Sequence, residues 1–498
     1  MLRAVSYADR IFEQDPEGSL RNGSCIRAPW NKSSAGGRLR PGADETGGMI
    51  LGRIFGTDGV RGIANEKLDV ELALAISRAA GMIIKAEGIE RPRILVGRDT
   101  RLSGEMLQCA VAAGLSSVDL QFHLLGVVPT PTVAYLVKRL GANGGVMITA
   151  SHNPFMYNGI KYFGGDGFKL TDMQEDRIER IVLDKSEKIE LAETDCIGKI
   201  SVNYLAIEAY EEHIYSAVKH DLSGLRIAVD CANGASSRTA KRIFGAVKAQ
   251  ASFIGCEPDG TNVNKDCGSL HTDALGEFVR KGNFDLGLAF DGDADRCLAV
   301  DENGELIDGD MIMAILARRF ADEGRLKGNM FVPTIMSNMG LFKFAEEQGF
   351  NCYPTKVGDR YVLETMLRTG ACLGGEQSGH TIIREYMTTG DGELTGLLLA
   401  ETMLISGKKA SELKKIMTLY PQVMINISAT PEMKERLSDP EVKSYIDIET
   451  QRLEGDGRIL VRPSGTEPII RIMIEGRDNE KIKKLAEECA ETLQNILK

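Results

Sequence analysis

Three aspartates at alternate positions form the most chemically specific feature of the sequence. They are Asp291, Asp293 and Asp295 in the segment LAFDGDADRCLAVD. In an extended loop alternate side chains point to one side, so all three carboxylates can meet a single ion. Hard oxygen ligands of this kind suit Mg²⁺ and leave positions open for a phosphate oxygen or water. An EF-hand is disfavoured because Arg296 falls where that loop requires glycine, which leaves a solvated acidic turn as the alternative.

A serine stands where a buried strand predicted over residues 144–150 enters a turn. In the segment TASHNPFMYNGIK, Ser151 is followed by His152 and, ten residues further on, by Lys161. One interpretation is an ordinary turn, since serine and asparagine bond to nearby backbone and proline fixes φ. The other is a nucleophilic or phosphorylated serine with Lys161 as its proton donor or phosphate partner. Neither GxSxG nor GxxxxGK[ST] occurs, which disfavours acyl transfer and P-loop kinase chemistry.

Three further loops carry residue types suited to a sugar phosphate. In RPSGTEP, an arginine fork, two hydroxyls and approachable backbone N–H groups make a sound phosphate cradle. GGEQSGH offers a carboxylate, a hydroxyl and an imidazole to sugar hydroxyls or an amine, and FGTDGVRG offers an arginine. Each loop can also be a plain turn, and the last arginine can instead pair with Asp58. The residues concerned are Arg61, then Glu376, Ser378 and His380, and finally Arg462, Ser464, Gly465 and Thr466.

The elements that must position these loops repeat along the chain. A short strand, a glycine-containing loop and an amphipathic helix recur, with strand cores at residues 94–96, 227–229 and 330–332. Copies roughly 100 to 130 residues apart indicate repeated α/β domains rather than a solenoid. The C-terminal part changes to strand, loop, strand and one capped helix, which is typical of an α+β domain. The predicted domains are α/β at 49–203, 204–303 and 304–418, and α+β at 419–498.

Composition narrows the class of protein. The 498 residues are 43% hydrophobic and 26% charged with a net charge of −11, which favours a globular enzyme over a partner of nucleic acid or anionic membrane. No apolar run approaches the roughly 18 residues of a membrane span, and no targeting peptide is evident, so we expect a cytoplasmic location. The ten cysteines lack CxxC spacing, and we expect those in apolar runs, such as Cys109 and Cys489, to be buried free thiols. Residues 1–48 are predicted to be a flexible extension, unless translation starts at Met49.

Taken together, FGTDGVRG, TASHNP, DGDADR, GGEQSGH and RPSGTEP resemble the motifs of the α-D-phosphohexomutases in order and spacing, from about Met49 to the C-terminus. The resemblance implies three similar α/β domains with mixed sheets and a fourth domain shaped like TATA-binding protein. It also implies a phosphoserine enzyme that interconverts hexose 6- and 1-phosphates through a bound 1,6-bisphosphate. Details such as MSNMGL, KVGDRYV and TTGDG are similar to the branch that acts on glucosamine phosphates and supplies UDP-N-acetylglucosamine synthesis. The branch acting on glucose and mannose phosphates is the alternative.

The resemblance also assigns a role to each motif residue. The substrate would be a hexosamine phosphate, with no nucleic acid or membrane partner, and a homodimer is left open. Lys161 would be the general acid/base, and Arg296 would contact the phosphoserine. The catalytic group would comprise Ser151, Lys161, Arg61, His152 and Arg296. Mg²⁺ would be held by Asp291, Asp293, Asp295 and the Ser151 phosphate. The sugar would be bound by Lys356, Glu376, Ser378 and His380, and its non-reacting phosphate by Arg462, Ser464, Gly465 and Thr466.

Overall fold

The computed structural model describes residues 53–56, 58–85, 88–89, 91–464 and 468–498. The extension predicted at 1–48 and the alternative start at Met49 lie outside these ranges, as do Gly465 and Thr466. Within them the chain forms three α/β units and a C-terminal α+β unit, as the sequence predicts. None of the helices described is long and apolar enough to cross a membrane.

The first unit is a seven-stranded mixed sheet covered by helices on both faces. Strand β5 runs parallel to β3 and antiparallel to β6, and the sheet order is β1-β2-β6-β5-β3-β4-β7. Leu95 and Met147 pack towards α3, whereas Val96 and Ile148 pack towards α1 and α2, so both faces of the central strands are buried. The elements are β1 (Phe55–Gly56), β2 (Gly59–Ile63), α1 (Val70–Lys85), β3 (Arg93–Arg98), α2 (Gly104–Ser116), β4 (Gln121–Val127), α3 (Thr130–Leu140), β5 (Gly144–Ile148), β6 (Tyr157–Gly164), α4 (Asp172–Leu183) and β7 (Ile200–Val202).

The second unit is a five-stranded mixed sheet that carries the aspartate loop. Its strands follow the order β12-β11-β10-β8-β9, with β10 parallel to β8 and antiparallel to β11. Residues 291–296 join β10 to β11 and therefore lie at the carboxyl end of a fully buried strand. The elements are α5 (Ile207–Ser216), β8 (Arg226–Asp230), α6 (Ser236–Ala246), β9 (Gln250–Ile254), α7 (Thr272–Gly282), β10 (Leu286–Phe290), β11 (Cys297–Asp301) and β12 (Leu306–Ile307).

The third unit shares a hydrophobic core with the second. Helix α11 is buried along most of its length, and its Leu397 and Leu398 belong to the same apolar cluster as Leu288 of β10. The strand predicted at 330–332 is shorter than expected, because Pro333 has no N–H to donate and Val332 makes only an isolated bridge to Gly374. The elements are α8 (Gly309–Asp322), β13 (Met330–Phe331), α9 (Met339–Gln348), β14 (Asn351–Cys352), α10 (Asp359–Thr369), β15 (Leu373–Gly375), β16 (Thr381–Ile383), α11 (Gly392–Ser406) and α12 (Ala410–Leu413).

The C-terminal unit is a three-stranded antiparallel sheet backed by one long helix. The sheet order is β17-β19-β18, and the predicted helix buries Ile482, Leu485, Ala486, Cys489 and Leu493 on one face. Its first backbone N–H groups are capped by the carboxylate of Asp478. The elements are β17 (Gln422–Ser428), α13 (Pro431–Glu435), α14 (Pro440–Gln451), β18 (Gly457–Pro463), β19 (Ile469–Gly476) and α15 (Asn479–Ile496).

The nine cysteines in the described ranges are all free thiols. Cys489 is buried, as expected, but the expectation is wrong for Cys109, which faces solvent on α2. Apolar neighbours in sequence do not fix which side of a helix a residue occupies. The domain boundaries near residues 203, 303 and 418 stay predictions.

Candidate active site

The serine loop and the aspartate loop meet between the first two sheets. Ser151 follows the carboxyl end of β5, and Asp291 follows that of β10. Ser151 is 1% exposed, and its Oγ donates a hydrogen bond of 2.6 Å to Asp291 Oδ2. A side chain at Gly292 would lie 2.6 Å from the Ser151 carbonyl oxygen, so the two loops approach closely only because this residue is glycine.

The three aspartates gather as predicted, but residues 292–293 form a turn and Ala294 has a φ of 56°, so it is this turn and not an extended loop that brings them together. All are buried, and one carboxylate oxygen from each lies within 4.8 Å of the others. Burial, and then the charges of Asp293 and Asp295, raise the pKa of Asp291 well above its usual value. The Oδ1 atom of Asp293 is buried and has no hydrogen-bond partner among the residues described. Three carboxylates with an unsatisfied inward oxygen fit a hard divalent cation, so this group could hold a metal.

Lys161 supplies positive charge to this carboxylate cluster. It lies on β6 with 1% of its side chain exposed, and its Nζ is 3.0 Å from both Asp58 Oδ2 and Asp293 Oδ2 and 3.4 Å from Asp295 Oδ2. Burial lowers its pKa, but Asp293 and Asp58 outweigh that effect and raise the pKa well above the usual value. These carboxylates therefore favour the ammonium form of Lys161.

A series of ion pairs, in which carboxylates alternate with cationic side chains, extends from Lys161 to the third unit. Asp58 pairs with Arg61 and with Lys169, and Lys169 Nζ lies 2.5 Å from Asp359 Oδ2 at the start of α10. Arg61 thus pairs with Asp58, while its reach to a phosphate stays a prediction. A cavity of about 920 Å³ opens along the same seam and is bordered by Lys169, Asp359 and Arg360.

Two further predicted residues lie beside the serine and the triad. The Nδ1 atom of His152 is 3.3 Å from Ser151 Oγ. Burial, followed by the charges of Arg296 and Arg61, lowers the pKa of His152 to about 3, so its imidazole is neutral at neutral pH. The backbone N–H of Arg296 donates to Asp291 Oδ1 at 3.2 Å, and its guanidinium is an ion-pair partner of Asp295 at 3.9 Å.

The loop of the third unit that is predicted to bind the sugar, at residues 374–380, faces the aspartate loop. Arg296 and His380 form an isolated β-bridge, and His380 Nδ1 lies 3.6 Å from Asp295 Oδ1. Burial lowers the pKa of His380, but Asp295 outweighs it and the pKa rises to about 8. Glu376 accepts hydrogen bonds from the Gly358 N–H at 2.9 Å and from Ser378 Oγ at 3.3 Å.

The loop of the C-terminal unit that is predicted to bind phosphate begins at Arg462, and further cations lie near it. Arg462 is half-buried at the end of β18, where burial and the neighbouring charge of Arg471 lower its pKa while Glu376 raises it. Ser464 is buried; its carbonyl accepts from Lys434 Nζ at 2.7 Å. Lys356 is exposed, with its Nζ 5.9 Å from the ring centroid of Tyr361. The charges of Arg462 and Glu376 interact, so the loops predicted to bind the sugar and the phosphate lie near each other.

Sequence reasoning missed several residues that build this centre. Lys169 and Asp359 join the first and third units, and Thr130 donates to Asp293 Oδ2 at 2.5 Å. Arg101 donates a hydrogen bond to the Ser151 carbonyl, and the Thr149 hydroxyl accepts one from the Ser151 N–H. The segment GRDTR after strand β3 was a usable signal for Arg101, since polar residues at the carboxyl ends of parallel strands line sites in α/β sheets.

Models of four domains of one family match the chain in order. They are the phosphoglucomutase/phosphomannomutase α/β/α domains I, II and III, at residues 52–189, 208–304 and 308–420, and the C-terminal domain at 424–492. The chain belongs to the phosphoglucomutase/phosphomannomutase family. The family resemblance inferred from the five motifs is thereby confirmed, and so is the fold of three α/β domains and a C-terminal domain.

Known proteins agree with this membership. The phosphoglucosamine mutase of Acetivibrio thermocellus is 49% identical over 448 residues, which cover 90% of this chain and 100% of the relative. That of Caldicellulosiruptor saccharolyticus is 49% identical over 450 residues, with the same coverage. The crystal structure of a family protein from Burkholderia thailandensis has a TM-score of 0.75 at 22% identity, covering 89% of this chain and 98% of that one. This family member is thus an enzyme of the isomerase class, an intramolecular phosphotransferase.

Proposed function

We propose that the protein is a phosphoglucosamine mutase, interconverting glucosamine 6-phosphate and glucosamine 1-phosphate through a phosphoserine and a bound 1,6-bisphosphate. The observation that carries the proposal is the 2.6 Å hydrogen bond from Ser151 Oγ to Asp291, beside two further buried aspartates and Lys161. The amino-sugar substrate rests on the relatives named phosphoglucosamine mutase at 49% identity. Such an enzyme would act in the cytoplasm and supply UDP-N-acetylglucosamine synthesis.

In the first half-reaction, a hydroxyl of the sugar phosphate attacks the phosphorus carried by Ser151. A new P–O bond forms to the sugar as the P–Oγ bond of Ser151 breaks, and the phosphoryl group leaves the serine. As an ammonium group, Lys161 would supply the proton that the departing Oγ requires and take up the proton that the attacking hydroxyl loses, so that it ends the step as it began. His152, with its Nδ1 atom 3.3 Å from Oγ, can hydrogen-bond to Oγ. The bound bisphosphate then reverses its orientation, so that its other phosphate faces Ser151. The second half-reaction repeats these transfers in the opposite direction.

We propose Mg²⁺ as the ion held by Asp291, Asp293 and Asp295 together with the phosphate on Ser151. When bound, it would neutralise charge on the transferring phosphoryl group. Arg61 and Arg296 add positive charge on the protein side of that group, and the triad loop fixes Arg296 through its backbone hydrogen bond.

The substrate itself would lie between the third and C-terminal units. Glu376, Ser378 and His380 would hold the sugar together with Lys356. Arg462 and Ser464, with Gly465 and Thr466, grip the phosphate that is not reacting. Because one cradle accepts the phosphate from either end of the sugar, the same residues serve both half-reactions. Positioning of this kind can supply roughly 7–11 kcal/mol of a reaction barrier.

A coupled assay on one preparation tests the proposal. Glucosamine 6-phosphate, glucose 6-phosphate and mannose 6-phosphate are compared, with ³¹P NMR following both the phosphate position and any inorganic phosphate released. We expect kcat/KM for glucosamine 6-phosphate to exceed the other two by about tenfold or more, which corresponds to about 1.4 kcal/mol of discrimination. A preference for glucose or mannose phosphate would assign the chain to the other branch of the family. Release of inorganic phosphate without isomerisation would indicate a phosphatase.

A further inference from the structure

The backbone of Ser151 is held in a conformation that serine rarely adopts. Its φ is 50°, in the left-handed region, where a side chain other than that of glycine is disfavoured. Such a conformation persists only where surrounding contacts determine it. The contacts around the serine loop should therefore show what fixes the direction of Oγ.

Arg101 uses its whole guanidinium to hold this loop. Its side chain is fully buried, and its Nε donates to Asp99 Oδ2 at 2.8 Å. The two terminal nitrogens donate to four backbone carbonyls, so all five N–H groups have acceptors. The carbonyl acceptors are those of Ser151 (2.8 Å), Asn153 (2.8 Å), Pro154 (2.6 Å) and Tyr157 (3.0 Å).

Thr149 holds the other side of Ser151. Its hydroxyl accepts a hydrogen bond of 2.9 Å from the Ser151 N–H and donates one of 2.7 Å to Asp99 Oδ2. Asp99 is itself 0% exposed, and its second oxygen accepts from the Arg101 backbone N–H at 3.0 Å. The N–H and C=O of Ser151 are thus both tied to one buried group of three side chains, Asp99, Arg101 and Thr149.

The second unit completes the support from the opposite side. Asn264, which is 7% exposed, donates its side-chain amide to the carbonyls of Ser151 at 2.8 Å and Asn153 at 3.1 Å. The Ser151 carbonyl therefore receives donors from both units. This arrangement fixes the serine relative to the triad as well as to its own sheet.

We propose that Asp99, Arg101 and Thr149 are positioning residues that hold Ser151 in its left-handed conformation, so that Oγ faces Asp291 for phosphoryl transfer in both directions. None of the three is placed against the substrate, and they act only through Ser151. The inference rests on the proposed function and deepens it. It explains why a charged arginine is buried beneath a loop whose own side chains carry the chemistry. In the mutase cycle the serine gives up a phosphoryl group and takes one back, so the same direction of Oγ is needed twice per turnover.

Thr149→Val tests the proposal because valine has nearly the same shape but neither donates nor accepts. We expect kcat to fall by about 100-fold, the size of effect that misplacing a reacting atom can cause. KM should change by less than about threefold, because the sugar and phosphate loops are untouched. Thr149→Ser, which keeps the hydroxyl, should restore kcat to within about threefold of wild type. Thr132→Val is the matched control, since Thr132 is equally buried and its hydroxyl has no partner among the residues described.

A second variant and a second readout keep the test decisive. Arg101→Lys retains the charge that pairs with Asp99 but cannot reach four carbonyls, and it should also lose kcat rather than substrate affinity. The readout is the rate at which glucose 1,6-bisphosphate phosphorylates Ser151, followed by intact mass in quenched samples, which should slow in Thr149→Val and Arg101→Lys alike. Because this readout needs no particular sugar preference, wild-type turnover of glucosamine 6-phosphate tests the proposed function separately. Wild-type kcat in Thr149→Val, equal losses in the valine and serine variants, or a loss confined to KM would each overturn the proposal.

Discussion

Ser151 Oγ donates a hydrogen bond of 2.6 Å to Asp291 Oδ2, although 140 residues separate the two in sequence. One stands at the carboxyl end of β5 in the first sheet, the other at the carboxyl end of β10 in the second. The backbone N–H of Thr130 also donates to the Asp293 carbonyl at 2.9 Å, so the two sheets are locked together at this point. The candidate nucleophile and the candidate metal group therefore form one rigid centre.

In the proposed mechanism Ser151 Oγ carries the phosphoryl group, and replacing Ser151 by alanine removes this atom. We expect mutase activity to fall to less than about a thousandth of wild type. Intact mass after incubation with glucose 1,6-bisphosphate should show one added phosphoryl group in wild type and none in Ser151→Ala. Ser237→Ala, at a serine whose hydroxyl donates only to the Gly234 carbonyl, should leave both measurements unchanged. Phosphorylation of Ser151→Ala with retained activity would contradict the assignment of Ser151.

Asp293→Asn should weaken the binding of Mg²⁺ more than it alters the fold. The asparagine keeps one oxygen for Lys161 and Thr130 but loses the charge that attracts a divalent cation. We expect the Mg²⁺ concentration for half-maximal activity to rise by at least about tenfold, and kcat at saturation to fall as well. Titration of chelator-treated protein with Mg²⁺ measures both. Asp322→Asn, at an exposed aspartate paired with Arg318, is the control, and equal titrations for the two variants would count against the triad.

Arg462→Ala should affect binding before it affects chemistry. Arg462 lies at the end of β18, and its charge interacts with that of Glu376 in the loop predicted to bind the sugar. Losing one charged contact to a phosphate is expected to raise KM by about 10- to 100-fold, with a smaller change in kcat. Steady-state kinetics with glucosamine 6-phosphate measure the two constants. Arg452→Ala, also in the C-terminal unit but paired with Glu449, should behave as wild type; a KM in Arg462→Ala that matches this control would exclude the phosphate grip.

The sequence predicts the loops of the site well because their chemistry is local. Alternate aspartates and a serine after a buried strand are visible within a dozen residues, and the structure brings Ser151 and Asp291 together. The strands predicted at 94–96, 144–150, 227–229 and 330–332 all lie within two residues of the observed bounds, with Pro333 ending β13 early. The predicted roles of the individual residues remain proposals.

The supporting residues could not be predicted because their partners are distant. Lys169 meets Asp359 across 190 residues, and no local spacing marks that pair. Arg101 is similar: the pattern indicates a polar loop after β3, but only the fold shows that its guanidinium lies beneath the serine. Long-range pairing is decided by how the sheets pack, which one sequence read locally does not contain.

Asp310, buried in the first turn of α8, predicts a pH dependence of stability. Burial, and then the charge of Asp308, raise its pKa from 3.8 to about 7. Between these two values the folded state binds a proton that the unfolded state has lost, so stability falls as pH rises through that window. Asp310→Asn removes the titration but keeps an oxygen for the Asn338 N–H, which donates to Asp310 at 2.7 Å. We expect the variant to match wild type near pH 4 and to be more stable by about 2–4 kcal/mol near pH 8.

Unfolding in urea, followed by circular dichroism at both pH values, measures that difference. Asp322→Asn serves again as the control, since its carboxylate is exposed and should give no pH-dependent change. The sign of the effect distinguishes two cases. A protein with a buried carboxyl of raised pKa loses stability as the pH rises. A protein whose carboxyl is stabilised as the anion loses stability as the pH falls. An Asp310→Asn variant that is less stable than wild type at pH 8 would show that the charge of Asp310, rather than its shape, supports the start of α8.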